Sequence, residues 1–93
     1  MEQSQQMLGD QVIAESSART LLNTALDLQS KATFDEAYSM AQQALELALV
    51  SDNQLLIAEI YSLLGSLSNE LALFRQSIEF IRKSGSIYEK KGM

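Results

Sequence analysis

The chain has 93 residues, a net charge of −5, and no proline, cysteine, histidine or tryptophan. Without cysteine and histidine it has no disulfides, no thiolate nucleophile and none of the common zinc ligands. The acidic balance argues against nucleic acid as a partner, because phosphate binding needs a basic face.

The first ten residues, "MEQSQQMLGD", are polar and lack the basic start and apolar run of a secretory signal. No apolar stretch approaches the roughly 20 residues that span a bilayer. We therefore expect a cytoplasmic protein with no membrane contact. A polar N-terminal segment at 1–10 is expected to precede one helical domain at 11–93.

Helical periodicity begins at about Gln11, and no convincing strand pattern follows it. Apolar residues at three- and four-residue steps predict one buried stripe on a first helix: Ile13, Ala18, Leu21, Leu22, Ala25 and Leu28. After the turn "SKAT", Thr33 and Glu36 have the spacing of a capping box. A second helix is predicted from about Phe34 to Leu49.

The next boundary repeats this pattern. Ser51 and Gln54 have capping-box spacing, and Asp52 and Asn53 can also cap, so a third helix is predicted near Gln54. Its apolar stripe is Leu56, Ile60, Leu63, Leu64 and Leu67. A fourth helical pattern carries Phe74, Ile78, Ile81, Ile87 and Tyr88. The sequence thus predicts an all-α fold.

The boundary between helices three and four is weakly specified, since "SNELALF" offers only Ser68 and Asn69 as breakers. Two arrangements stay open: a closed hairpin, or one long helix that exchanges its last segment between two chains. Gly85 predicts a kink, an early end or a close packing site in helix four.

A shift of 40 residues superposes the first two helices on the last two, with Ala18 on Ala58, Ala25 on Gly65 and Phe34 on Phe74. In this order of small residues, an aromatic and "EA", the chain resembles the tetratricopeptide repeat family, in a long-helix variant. Repeat one is expected at about 18–51 and repeat two at about 58–91. The expected architecture is a pair of tandem antiparallel helical hairpins, a fragment of an α-solenoid.

The stretch "TFDEAYSMAQQALELA" places alanines at 37, 41, 44 and 48 on one helical face. These alanines predict a close packing seam within the hairpin. Phe34 and Phe74 are expected to fill the two hairpin corners. In the second repeat, Ser77 and Ser84 stand where the family prefers alanine.

Two repeats are few, because stacked repeats stabilise one another and terminal repeats need polar caps. No cap is evident in the sequence. Helix four offers an uncovered apolar surface, for which we expect self-association into a dimer, a longer repeat array or docking on a partner. The predicted self-association residues are Ile78, Ile81, Ile87 and Tyr88. Residues 71–93 also hold five bases and two acids, against two bases and ten acids before them. This basic tail is either a solvated helix end or a partner for the acidic part of another chain.

The resemblance implies a concave face that binds a peptide or helix. From the first repeat it carries Arg19, Leu22, Asn23, Leu26 and Ser30, and from the second Ser62, Leu63, Ser66 and Asn69. Asn23 matches an asparagine with which many members hold a peptide backbone, although it is equally readable as a solvated side chain. The segment "QQMLGDQVIA" is an alternative cover for the leucines, by folding back over them.

No catalytic constellation appears. Asp35 and Glu36 are the only adjacent acids, and adjacent helical side chains diverge. The serines have no histidine to activate them, and the glycines form no phosphate loop. We expect a non-enzymatic protein with no metal, cofactor or small-molecule substrate.

The expected function is therefore a protein–protein interaction module, a scaffold or signalling adaptor that binds a protein or peptide partner on the concave face. One alternative is a homodimeric structural module, with or without exchange of the last helix. Another is a small acidic chaperone-like helper for a secreted partner.

Overall fold

The computed structural model describes residues 2–92, with side chains from residue 9 onward. Four helices follow one another: α1 (Glu2–Ser30), α2 (Phe34–Ser51), α3 (Gln54–Glu70) and α4 (Phe74–Lys90). No strand occurs within the described residues. The all-α prediction is confirmed.

The helices pack as two hairpins, α1 with α2 and α3 with α4, and α3 also packs against α2. Helices three and four are separated by a turn, so the chain forms a closed hairpin rather than one continuous helix. The prediction of tandem helical hairpins is confirmed. Helix α4 continues past Gly85 to Lys90, so of the three alternatives at this glycine the early end does not occur.

Helix α1 begins at Glu2, before the periodicity that starts at about Gln11, and continues without interruption to Ser30. The continuous helix excludes the alternative in which residues 5–14 fold back over α1. The side chains of 1–8, most of the predicted polar segment, lie outside the described residues. Ile13 is 66% exposed, and Ala14 takes its predicted place in the buried stripe.

The two hairpin turns have the same backbone conformation, and neither contains glycine. Ala32 and Ala72 both adopt the left-handed region, with φ of 59° and 61°. The Thr33 amide donates to the Leu28 carbonyl at 2.9 Å, and the Leu73 amide donates to the Ser68 carbonyl at 2.7 Å. These are six-to-one bonds of a Schellman motif, which ends a helix by satisfying its last carbonyls.

Neither predicted capping box forms. The Thr33 side chain makes no cap hydrogen bond within the described residues. Ser51 is the last residue of α2, and its hydroxyl donates to the Ala48 carbonyl instead. Asn53 caps α3, because its side-chain oxygen accepts from the Leu56 amide at 3.1 Å.

The core combines a seam of small residues with a row of large ones. Ala37, Ala41, Ala44 and Ala48 of α2 are all fully buried, which confirms the predicted alanine seam. The largest apolar side chains that are fully buried come from α3: Leu56, Ile60, Leu64 and Leu67. Helix α3 is therefore the central element, since it contacts both the first hairpin and α4.

Serine replaces alanine in the seam of the second hairpin. The Ser77 hydroxyl donates to the Gly65 carbonyl at 2.7 Å, and the Ser84 hydroxyl donates to the Ala58 carbonyl at 2.9 Å. Both serines are buried, so these bonds satisfy hydroxyls that would otherwise be costly to bury.

Candidate protein-interaction surfaces

One side of α4 is apolar and exposed, and we call it the outer face of α4: Phe74, Ile78, Ile81, Gly85 and Tyr88. At about 100° per residue, these positions lie within roughly 40° of a common line along the helix. Phe74, Ile78 and Ile81 are 59%, 58% and 55% exposed. The buried residues of α4 are Ser77 and Ser84, on the neighbouring side that contacts α3.

The same arc of α2 is covered. Forty residues earlier, the equivalent positions are half-buried or buried: Phe34, Tyr38, Ala41, Leu45 and Ala48. Helix α3 packs against α2 in addition to α1. By this repeat correspondence, the outer face of α4 is the surface on which the next helix of a repeat array would lie.

Cations border the outer face of α4. Arg75 and Arg82 are exposed, and their separation of seven residues places them on one flank of it. The equivalent residues of α2 are Asp35 and Gln42, so the positive flank is specific to the second hairpin. At the start of α4 the face ends in a shallow depression of about 420 Å³, lined by Ala72, Leu73, Phe74, Arg75 and Gln76.

The predicted self-association residues divide between two environments. Ile78 and Ile81 are exposed on the outer face, and Tyr88 is half-buried at its end. Ile87 packs against the core instead, so it does not belong to this surface. Phe74 was expected to fill a hairpin corner and is exposed, whereas its counterpart Phe34 packs against the core.

The predicted concave face is only partly available to a ligand. Leu22 and Leu63 belong to the core, with 5% and 6% of their surface exposed, so they do not line an open apolar groove. The Ser62 hydroxyl is hydrogen-bonded to the Ser84 hydroxyl at 2.6 Å and is engaged with α4. The remaining predicted residues are exposed: Arg19, Asn23, Leu26, Ser30, Ser66 and Asn69.

A residue outside the predicted set joins the two repeats on this side. The Gln29 amide donates to the Ser66 hydroxyl at 3.1 Å, which links the C-terminal parts of α1 and α3. Gln29 is the counterpart of Asn69, and the repeat correspondence alone could have singled it out.

The side of α1 that is equivalent to the buried side of α3 carries mainly polar residues. Leu56, Ile60, Leu63 and Leu67 lie on the side of α3 away from α4 and are buried. Forty residues earlier, α1 carries exposed polar residues, which we call the outer face of α1: Ser16, Thr20, Asn23 and Asp27. Val12 and Ile13 lie about 50° from the centre of this face and are 69% and 66% exposed, so the first part of α1 also carries exposed apolar side chains.

Two further properties concern the described part of the chain. Between residues 2 and 92, no helix is long and apolar enough to cross a membrane. The same residues bring together no group of three acidic, histidine or cysteine side chains that could hold a metal ion.

Comparison with protein-family models, with curated proteins and with solved structures finds no significant match.

Proposed function

We propose that this chain is a non-enzymatic protein-interaction module of the tetratricopeptide type, acting in the cytoplasm as a scaffold or signalling adaptor. The observation that carries the proposal is the outer face of α4, where three large apolar side chains are more than half exposed. Monomeric proteins rarely leave a contiguous apolar patch of this kind uncovered unless it binds something.

The family assignment is part of the proposal and rests on the repeat. The second turn reproduces the first at a distance of 40 residues, down to the left-handed alanine and its hydrogen bonds. Small residues also recur at the close approach of each helix pair, as Ala25 in the first hairpin and Gly65 in the second. Equivalent bonds and small residues are what a duplicated hairpin unit requires.

Peptide binding on the concave face is the second candidate. Leu26 is 45% exposed there, and Arg19, Asn23, Ser66 and Asn69 offer polar groups that could hold an extended backbone. The burial of Leu22 and Leu63 leaves this face less apolar than the outer face of α4, so we place it second. The homodimeric module and the chaperone-like helper would both use the outer face of α4.

The test compares four variants of the chain. Ile78→Asp changes the outer face of α4, Leu26→Asp and Asn23→Ala change the concave face, and Val50→Asp is a control at an exposed apolar residue outside both surfaces. Each variant is immobilised at equal density, and the proteins retained from a cell extract are compared by quantitative mass spectrometry.

Proteins retained by the wild type and by Val50→Asp, but lost with Ile78→Asp, would support the proposed surface. Loss with Leu26→Asp or Asn23→Ala instead would move the function to the concave face. If every variant retains the same proteins in equal amounts, the result would contradict both candidate surfaces.

A further inference from the structure

By the 40-residue correspondence, the outer face of α4 matches a side of α2 that is covered by one α-helix, α3. Gly85 leaves a gap in this face, because a Cβ placed there would meet nothing within 4 Å. A side chain of a docked helix can fill that gap in the way that ridges of one helix fill the grooves of another.

The charges along this site favour an acidic partner. Arg75 and Arg82 lie on the same flank, two helical turns apart, and both are exposed. Glu79 lies between the two arginines along the helix, about 40–60° farther from the apolar face, and Glu89 follows on the flank in the last turn. The two cations nearest the apolar face are therefore in the first part of the helix. Carboxylates about seven residues apart on a docked helix would face both guanidinium groups.

A second copy of the chain does not match the apolar and the charged features of this site at the same time. Stacking α4 on the α1 of another copy would cover an apolar face with the polar Ser16, Thr20, Asn23 and Asp27. Pairing α4 with a second α4 would bring two copies of the helix together, each with four bases and two acids. Like charges across an interface oppose association.

We propose that the outer face of α4 binds an amphipathic α-helix of another protein. The apolar stripe of that helix packs on Phe74, Ile78 and Ile81, and its carboxylates face Arg75 and Arg82. This inference rests on the proposed function and adds the class of partner. Such helix-in-groove recognition uses apolar anchors at three- and four-residue steps.

The test uses two synthetic peptides of about 18 residues, or five helical turns. Both carry leucine at three- and four-residue steps, and they differ only in having glutamate or lysine beside the leucine stripe. Binding of each peptide to the full chain is measured by fluorescence anisotropy at low and high salt. The mass of the free chain is measured by light scattering at two concentrations.

We expect the glutamate peptide to bind at least tenfold more tightly than the lysine peptide, with a smaller difference at high salt. Ile78→Asp should weaken binding of the glutamate peptide at least tenfold, and Val50→Asp should leave that affinity unchanged. Arg82→Glu leaves one cation and one acid on the flank, so it should abolish the preference between the peptides. Both Ile78 and Arg82 are exposed, so these variants should keep the helical circular dichroism of the wild type.

Equal affinity for the two peptides, or binding that Ile78→Asp does not weaken, would overturn this inference. A dimer of the free chain that Ile78→Asp dissociates would also overturn it, because the occupant would then be a second copy. That last result would favour the homodimeric module over the adaptor. A monomer that binds neither peptide overturns the inference, and the extract experiment then decides on the proposed function.

Discussion

In the first hairpin, four alanines seal the contact between helices, and α3 covers the far side of α2. In the second hairpin, two hydrogen-bonded serines take part in the seam, and three large apolar side chains remain exposed on the far side of α4. The backbone turns are the same in both. The comparison shows that one supersecondary unit can lie in the interior or present an exposed apolar face, depending on whether another helix packs on it.

Substitutions at position 41 and at its counterpart 81 should give the largest difference in the free energy of unfolding between the two hairpins. Ala41 is fully buried, and Ile81 is 55% exposed. Ala41→Ile introduces into the first hairpin the side chain that the second one has, and overpacking should lower the free energy of unfolding by about 2–3 kcal/mol. The reverse change, Ile81→Ala, should cost about 1 kcal/mol or less, as at other exposed sites.

Urea denaturation followed by circular dichroism measures both effects. Ala41→Ile should lower the free energy of unfolding at least twice as much as Ile81→Ala does. Equal losses would contradict the claim that position 41 is enclosed and that its counterpart is largely open to solvent.

Ser68 is a second point of difference. Its counterpart in the first hairpin is Leu28, and among the described residues the buried Ser68 hydroxyl finds no hydrogen-bond partner. Ser68→Ala removes this unsatisfied group and improves helix propensity, so it should raise the free energy of unfolding by about 1–2 kcal/mol. Ser39→Ala, at an exposed helical serine, controls for propensity alone and should gain less than about 0.5 kcal/mol. If Ser68→Ala raises the free energy of unfolding no more than Ser39→Ala does, the Ser68 hydroxyl has a hydrogen-bond partner in solution.

The helices and their seam could be predicted because they depend on local periodicity. The alanines at 37, 41, 44 and 48 repeat at helical steps, and their burial follows from that spacing. The turns were harder, because Ala32 and Ala72 adopt left-handed conformations that normally favour glycine. Only the tertiary packing of the hairpins makes that conformation acceptable, and no local sequence signal reports it.

The surfaces were predicted less well than the helices. Ile78 and Ile81 were found because they interrupt a polar helix, whereas Phe74 was assigned to the core by analogy with Phe34. Periodicity places both aromatics at the same helical position, and only the presence of α3 beside α2 distinguishes them. In the same way, Leu22 and Leu63 were assigned to an open groove because resemblance alone does not report burial.

Gly65 and Ile81 should be energetically coupled. A Cβ on Gly65 would lie 2.7 Å from Ile81 Cγ1, whereas the first hairpin places Ala25 and Ala41 at the equivalent positions. Gly65→Ala alone should lower the free energy of unfolding by about 1 kcal/mol, because the clash with Ile81 outweighs the gain in helix propensity. In an Ile81→Ala background, Gly65→Ala should raise the free energy of unfolding by about 1 kcal/mol, since the higher helix propensity of alanine is then no longer offset by a clash. A double-mutant cycle measures this coupling, and additive effects would show that Ile81 moves aside at no cost.

The smallest expected effect tests whether the two turns are equivalent. Ala32→Gly and Ala72→Gly each remove a strained left-handed alanine, and each should raise the free energy of unfolding by about 0.5–1 kcal/mol. Asp52→Gly is the matched control, because the φ of Asp52 is also 59° but aspartate tolerates this region better, so the gain in the free energy of unfolding should be smaller.

If only Ala32→Gly stabilises the chain, Ala72 is not held in the left-handed turn in solution. The second hairpin would then be open for part of the time, and α4 would be free to extend from α3 as one helix. Light scattering on Ala72→Gly separates these cases, since a glycine turn favours the closed hairpin and should reduce any dimer formed by exchange of α4.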